Sequence, residues 1–101
     1  MVQLITKAAD LATTLSNAGD NLVIIDFFSN WCGSCKSMDP CINKLAKEYP
    51  HVVMLKFDVS VNEEPNKYLM TNEYNIKFMP TFVFLRSKFW RQSCKFMRMA
   101  C

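Results

Sequence analysis

Short runs of hydrophobic residues recur along the chain and predict the strands of a sheet. The two longest runs contain almost no polar residue, which is typical of central strands that are covered on both faces. Glycine, proline and asparagine residues interrupt the apolar pattern between the runs. The predicted strands are residues 2–5, 22–28, 52–58 and 82–85.

Hydrophobic residues spaced three and four positions apart predict two amphipathic helices, over residues 7–18 and over residues 32 to about 49. Pro40 lies within the second helix, where we predict a kink rather than an end because the apolar periodicity resumes beyond it. A third, short helix is predicted over residues 63–71. Strands and helices therefore occupy most of the chain up to residue 85.

A Cys-x-x-Cys sequence, Cys32 to Cys35, stands where the second strand leads into the second helix. The unpaired N–H groups and partial positive charge of a helix N-terminus stabilise a thiolate, which is the nucleophilic form of cysteine. Cys32 is therefore predicted to be the attacking sulfur. Cys35, one helical turn further on, is within disulfide reach but points toward the protein, so it is predicted to resolve a mixed disulfide between Cys32 and a substrate.

The same spacing is also half of a zinc site, which is the alternative to redox exchange. Zinc needs a second pair of ligands at a matching distance, whereas the remaining candidates, Cys41, Cys94, Cys101 and His51, are scattered. A structural disulfide is disfavoured because so short a loop constrains the unfolded chain little. Cys41 falls in the apolar stripe of its helix, which favours a small buried hydrophobe over a regulatory thiol. Redox exchange remains the favoured interpretation.

Two charged residues interrupt buried strands. Asp26 lies in the second strand, where a carboxylate is costly unless it has a partner or a task. Lys56 interrupts the third strand and could lie near Asp26 across the sheet. Pro80 immediately precedes the last apolar strand, a place where a cis bond is useful, although the residues alone favour a trans Met79–Pro80 bond.

Length and composition fit a single domain, since the chain has 101 residues, half of them hydrophobic. No apolar run reaches the length that spans a bilayer, and no secretory signal pattern opens the sequence. Five cysteines, an odd number, argue against a fully paired secreted framework. A cytoplasmic location is therefore expected, with the nucleus as an alternative.

Basic residues are distributed unevenly. Residues 1–85 carry seven basic and nine acidic side chains, whereas residues 86–101 carry five basic side chains and no acidic one. A basic block can bind nucleic acid, but this one contains no recognisable nucleic-acid motif, so a solvated face is favoured.

Several separate motifs together resemble a known family. The strand with Asp26 leads into Trp31-Cys32-Gly33-Ser34-Cys35-Lys36, Pro40 follows in the helix, and Met79-Pro80-Thr81-Phe82 precedes the last apolar strand. With these motifs, residues 1–85 resemble the thioredoxin family, in particular its animal cytosolic type. The resemblance implies an α/β thioredoxin fold, in which helices flank a central mixed β-sheet.

The resemblance also implies roles for individual residues. Cys32 attacks, Cys35 resolves, Asp26 assists proton transfer to and from Cys35, and Lys56 matches a position near that carboxylate. Pro80 in cis would place the Met79 backbone to pair with an extended substrate segment. The implied substrate groove consists of Trp31, Gly33, Ser34, Met79 and Pro80.

The activity implied is that of a protein disulfide reductase, a thioredoxin-type enzyme without a bound cofactor. Its dithiol would be re-reduced by thioredoxin reductase with electrons from NADPH, and its substrates would be proteins that contain disulfides. A monomer is expected, with association through the tail as an alternative. The competing hypothesis is a non-catalytic, thioredoxin-like binding module, such as a truncated isoform, that holds partners through the Met79–Pro80 groove or through its basic tail.

The sequence departs from the family pattern at two places. Ser34 stands where thioredoxins normally have proline, and its additional N–H and hydroxyl favour the Cys32 thiolate and hence a less strongly reducing couple. Residues 86–101 contain no glycine, so a tight hairpin is hard to form there, and the last strand and helix are expected to be altered or incomplete.

We therefore predict a thioredoxin-like domain over residues 1–85 and a divergent basic tail over residues 86–101, which either completes the domain or is partly disordered. A substitute helix in the tail is an alternative, because five apolar residues fall at helical spacing. These are Phe89, Trp90, Cys94, Met97 and Cys101.

Overall fold

The computed structural model of the protein describes residues 2–86 and the backbone of residues 94–96. Strands and helices alternate along the described part of the chain, much as the hydrophobic pattern predicts. The strands are β1 (Val2–Ile5), β2 (Val23–Phe28), β3 (Val53–Asp58), β4 (Thr81–Leu85) and β5 (Cys94–Phe96). The helices are α1 (Ala8–Asn17), α2 (Gly33–Glu48) and α3 (Asn66–Tyr68), the last of which continues into a π-helical turn (Leu69–Glu73).

The strands form one mixed sheet in the order β1-β3-β2-β4-β5. β1, β3 and β2 are parallel to one another, while β4 runs antiparallel to β2 and β5 antiparallel to β4. All six residues of β2 are buried, as expected for a central strand without polar alternation. The predicted thioredoxin fold, with helices flanking a mixed sheet, is confirmed.

Hydrophobic side chains cover both faces of the sheet. On one face, Leu11 of α1 joins Phe27 and Phe57 in the larger core cluster. On the other face, Ile42 and Ala46 of α2 pack in a cluster with three strand residues, Ile24, Met54 and Phe82. Burying one large apolar side chain contributes about 1.5–3 kcal/mol, so these contacts fix α2 firmly on the sheet.

The bounds of α2 follow from its sequence. Cys32 is the N-cap, and its own sulfur accepts a hydrogen bond from the Cys35 N–H at 3.1 Å. The helix continues through Pro40 to Glu48, so the prediction that proline does not end it is confirmed. Cys41 lies on its buried side, as the apolar stripe predicts.

The short helix near residue 66 begins later than predicted because a buried amide organises the preceding loop. The Asn66 side chain accepts a hydrogen bond from the Ala8 N–H at 2.7 Å and donates to the carbonyl oxygens of Thr6 and Val61 at 2.7 and 3.3 Å. The helix starts at Asn66, directly after a cis Glu64–Pro65 bond.

The Met79–Pro80 bond is cis, so the preference for trans drawn from the residues alone is wrong, whereas the cis bond implied by the family resemblance is present. The trans preference of an X-Pro bond is only about 0.5–1 kcal/mol, which local tertiary contacts can outweigh. Here the Thr81 hydroxyl donates a 2.6 Å hydrogen bond to the Phe78 carbonyl, and Thr81 is buried at the start of β4.

Residues 94–96 of the tail form β5, which pairs with β4 so that Phe96 lies opposite Phe82 and Cys94 opposite Phe84. A helix through Cys94 is therefore wrong, because the backbone there satisfies the N–H and C=O groups along the open edge of β4. The other positions of the predicted helical stripe, Phe89, Trp90, Met97 and Cys101, lie outside the described residues. The division of the chain at Leu85 stays a prediction.

Candidate active site

The two cysteines of the Cys-x-x-Cys sequence form a disulfide at the N-terminus of α2. Their Cα atoms are 5.3 Å apart, within the usual range of about 4.4–6.8 Å. Cys35 is only 3% exposed, whereas Cys32 is partly exposed. A partner molecule can therefore reach Cys32 but not Cys35, which is the asymmetry that an attacking and a resolving sulfur require.

Hydrogen-bond donors converge on the Cys32 sulfur. The Cys35 N–H donates to it at 3.1 Å, and the Ser34 hydroxyl oxygen lies 3.5 Å from it. These groups belong to the first turn of α2, whose macrodipole places partial positive charge at the same point. A negative charge on Cys32 Sγ is therefore stabilised here more than in an extended chain.

The Asp26 side chain is fully buried in the middle of β2. Within the described part of the chain, neither of its carboxylate oxygens has a hydrogen-bond partner. Burial raises the pKa of Asp26 from 3.8 to about 7; the nearby Lys56 ammonium lowers this pKa and the Asp39 carboxylate raises it. An acid whose pKa is near neutrality can both release and take up a proton at ordinary pH.

Lys56 lies directly opposite Asp26 in the parallel pairing of β2 and β3. Its ammonium, however, donates a 2.8 Å hydrogen bond to Asp39 Oδ1 and lies 4.3 Å from the centre of the Phe28 ring. Asp39 was not among the site residues predicted from the sequence. Its position four residues after Cys35 places both on the same side of α2, and this spacing was the available signal.

The residues assigned to a substrate groove lie at the same end of the sheet as the disulfide. Thr81 pairs with Phe27 near the end of β2, which brings the Met79–Pro80 loop to the edge where α2 begins. Trp31, next to Cys32 in the chain, is 74% exposed, and Phe78, next to Met79, is 47% exposed. Both therefore offer apolar surface.

Two smaller residues of the proposed groove leave the surface near the disulfide open. Gly33 and Ser34 are both exposed. Among the described residues, a Cβ atom added at Gly33 would meet nothing within 4 Å, so close packing against the protein does not explain the glycine. Met79 is partly exposed and Pro80 is buried, so the loop presents Met79 rather than the proline ring.

Residues 2–86 contain no cluster of three or more histidine, cysteine or acidic side chains that could hold a metal ion. No helix in this part of the chain is both long enough and apolar enough to cross a bilayer. The reactive groups that the structure shows at this site are two sulfur atoms and a buried carboxyl group.

Comparison with known proteins gives consistent matches. The family model described as Thioredoxin matches residues 2–97. Thioredoxin-T of Drosophila melanogaster is 45% identical over 87 residues, which is 85% of this chain but only 52% of that protein. Thioredoxin of Homo sapiens is 35% identical over 86 residues, which is 85% of this chain and 77% of the human protein.

A solved structure of a complex of ferredoxin:thioredoxin reductase with thioredoxin f2 contains a similar chain, with a TM-score of 0.78 and 26% identity over 96% of this chain and 82% of that one. This chain therefore spans about half the length of one relative and about four fifths of that structural neighbour. Together with the paired cysteines at the start of α2, these similarities support a thiol–disulfide redox function.

Proposed function

The chain belongs to the thioredoxin family, and from this premise we propose that it is a protein disulfide reductase working through its Cys32-Gly33-Ser34-Cys35 dithiol. The observation that carries the proposal is the unequal exposure of the two sulfurs at one helix N-terminus. Cys32 can meet a substrate, and its sulfur accepts a hydrogen bond from the Cys35 N–H, while the buried Cys35 is held one turn away.

The proposed reaction has two exchange steps. In the first, the Cys32 thiolate attacks one sulfur of a substrate disulfide; a Cys32–substrate disulfide forms, and the other substrate sulfur leaves as a thiolate. In the second, the Cys35 thiol gives its proton to the Asp26 carboxylate, and its sulfur attacks Cys32 Sγ. The intramolecular disulfide forms as the second substrate thiolate leaves, so the substrate gains two electrons and the dithiol loses two.

Asp26 is proposed as the proton acceptor and donor for Cys35 because its pKa of about 7 suits both roles near neutral pH. Lys56, opposite Asp26, has a supporting electrostatic role. Trp31, Gly33, Ser34, Met79 and Pro80 are proposed as the groove that receives an extended substrate segment. The exposure of Trp31 and the partial exposure of Met79 support this assignment.

We further propose that a thioredoxin reductase returns electrons from NADPH to the disulfide, without a cofactor bound to this chain. A structural neighbour is thioredoxin f2 in complex with ferredoxin:thioredoxin reductase, which supports the general idea of a reductase partner. Other partners are proteins with reducible disulfides. A reducing compartment, the cytoplasm or the nucleus, fits this chain because its five cysteines are an odd number, which cannot form a fully paired disulfide framework.

Insulin reduction in dithiothreitol tests the proposal, with turbidity as the readout. The unchanged chain should accelerate precipitation well above the dithiothreitol background, and a Cys32→Ser variant should not. A Cys35→Ser variant should accumulate a mixed disulfide with insulin that mass spectrometry can detect. If the folded chain is no faster than its Cys32→Ser variant, the reductase proposal fails and the non-catalytic binding module takes its place.

A further inference from the structure

A half-buried ion pair, Lys56 with Asp39, lies beside Asp26, and Asp39 has no role in the exchange steps described above. The Lys56 ammonium donates to Asp39 Oδ1 at 2.8 Å and lies over the Phe28 ring. Lys56 comes from the strand next to Asp26, whereas Asp39 comes from the helix that carries the two cysteines. The pair therefore connects the surroundings of the buried carboxyl group to the helix of the dithiol.

The position of Lys56 on β3 gives its ammonium two possible carboxylate partners. Residues paired across adjacent strands point to the same face of a sheet, and adjacent strands are about 4.8 Å apart, so Asp26 is within reach of the Lys56 side chain. Both Asp26 oxygens lack hydrogen-bond partners among the described residues, and they would gain a donor from Lys56. Instead, the Lys56 ammonium donates its hydrogen bond to Asp39, and a cation–π contact with the Phe28 ring further stabilises this position.

We propose that Asp39 is a positioning residue for dithiol exchange: by binding the Lys56 ammonium, it keeps this cation from pairing with Asp26, so that Asp26 can hold a proton for Cys35. The inference rests on the proposed function in one respect, the proton transfer between Cys35 and Asp26. In that transfer the proton moves from Cys35 Sγ to an Asp26 oxygen during resolution and back when the disulfide is reduced.

The charged groups around Asp26 agree with this role. β3 contributes Lys56, α2 contributes Asp39 and Cys35, and β4 has no titratable residue in its Thr81–Leu85 sequence. The Asp39 charge raises the pKa of Asp26 and the Lys56 charge lowers it. Removing the Asp39 charge should therefore lower the pKa of Asp26 for two reasons. The repulsion between two carboxylates is lost, and the Lys56 ammonium is free to move toward Asp26.

The direct test follows the carboxyl carbon of Asp26 by NMR during a pH titration of the full oxidised chain. Asp39→Asn keeps the shape of the side chain without its charge, and it should move the Asp26 midpoint downward by roughly half a pH unit, part of the shift of about 1–3 units that a close charge can cause. Lys56→Met should move the midpoint upward. Asp39→Glu, which restores the charge, should bring the midpoint back toward that of the unchanged chain.

The double variant Asp39→Asn/Lys56→Met separates positioning from simple charge repulsion. If Asp39 acts largely by holding Lys56, its removal in the Lys56→Met background should move the midpoint less than in the unchanged chain. An equal shift in both backgrounds would overturn the positioning role. If the Asp26 midpoint does not move in Asp39→Asn, the whole inference is wrong, even if this variant is less stable than the unchanged chain.

Exchange rates then separate this inference from the proposed function. In the Asp39→Asn variant, the rising limb of the pH–rate profile for resolution of the mixed disulfide should shift to lower pH by the same amount as the NMR midpoint of Asp26. If the Asp26 midpoint moves and the rising limb of the rate profile does not, Asp39 does not affect the exchange reaction. If the unchanged chain fails to reduce insulin, the proposed function fails, and the NMR titration still decides whether Asp39 controls the protonation of Asp26.

Discussion

Replacing Asp26 with asparagine should stabilise the protein progressively more, relative to the unchanged chain, as pH rises from 5 to 8. The folded protein holds the Asp26 proton up to a pKa of about 7, whereas a carboxyl group at the ordinary value of 3.8 releases it much earlier. Between these values the unfolded chain binds fewer protons than the folded chain, so the free energy of unfolding falls as pH rises. Above pH 7 both states are ionised and the loss is complete.

The magnitude follows from the difference between the two pKa values. At about 1.4 kcal/mol per pH unit, ionisation of Asp26 lowers the free energy of unfolding by roughly 1.5 kcal/mol at pH 5 and roughly 4 kcal/mol at pH 8, for a pKa raised from 3.8 to about 7. Asparagine does not ionise, so the variant lacks this loss. Any cost of burying its amide is independent of pH and leaves the trend unchanged.

Urea unfolding followed by circular dichroism at pH 5, 6, 7 and 8, with the disulfide intact, measures this trend. The difference in free energy between variant and parent should grow by about 2.5 kcal/mol over the range. Asp20→Asn is a matched control, because it removes an exposed carboxylate from the loop after α1, and its difference from the parent should stay constant. A constant difference for Asp26→Asn as well would refute the reasoning from burial.

Three further predictions concern the dithiol. Iodoacetamide at neutral pH should modify Cys32 of the reduced chain well before Cys35, because only Cys32 is reachable, and mass spectrometry that found Cys35 labelled first would reverse the two roles. Ser34→Pro should lower the reduction potential measured against a glutathione buffer, since it removes a hydroxyl 3.5 Å from the Cys32 sulfur; an equal or higher potential would contradict this. Asp26→Asn should slow insulin reduction near pH 7 while Cys32 remains open to alkylation, and an unchanged rate would remove Asp26 from the mechanism.

The strands and the main helices could be predicted because their signals are local. The unbroken apolar run at β2 and the spacing along α2 each reflect burial against the rest of the protein, which repeats at the period of the element. The start of the helix at Asn66 could not be predicted in this way. It depends on hydrogen bonds from the Asn66 amide to residues 5 to 60 positions away along the chain, and no local pattern carries such information.

The site shows the same division. The positions of Cys32, Cys35 and Asp26 could be predicted from a motif and from one polar residue in a buried strand. The partner of Lys56 could not, because two carboxylates lie within its range and only the side-chain arrangement distinguishes Asp39 from Asp26. The strand at residues 94–96 was missed for a related reason, since Cys94 also fits the helical spacing of the tail and the open edge of β4 decides between strand and helix.

The Cys32 sulfur, which is the proposed attacking atom, is also the N-cap of α2, because it accepts a hydrogen bond from the Cys35 N–H. Thermodynamic linkage then ties the redox potential to folding: a thiolate at this cap is a stronger acceptor than a disulfide sulfur, so reduction changes the free energy of the first helical turn. For a two-electron couple, about 1.4 kcal/mol of such a difference corresponds to about 30 mV. A substitution anywhere along α2 that affects the reduced and oxidised helix unequally should therefore change the potential, even where it touches neither sulfur.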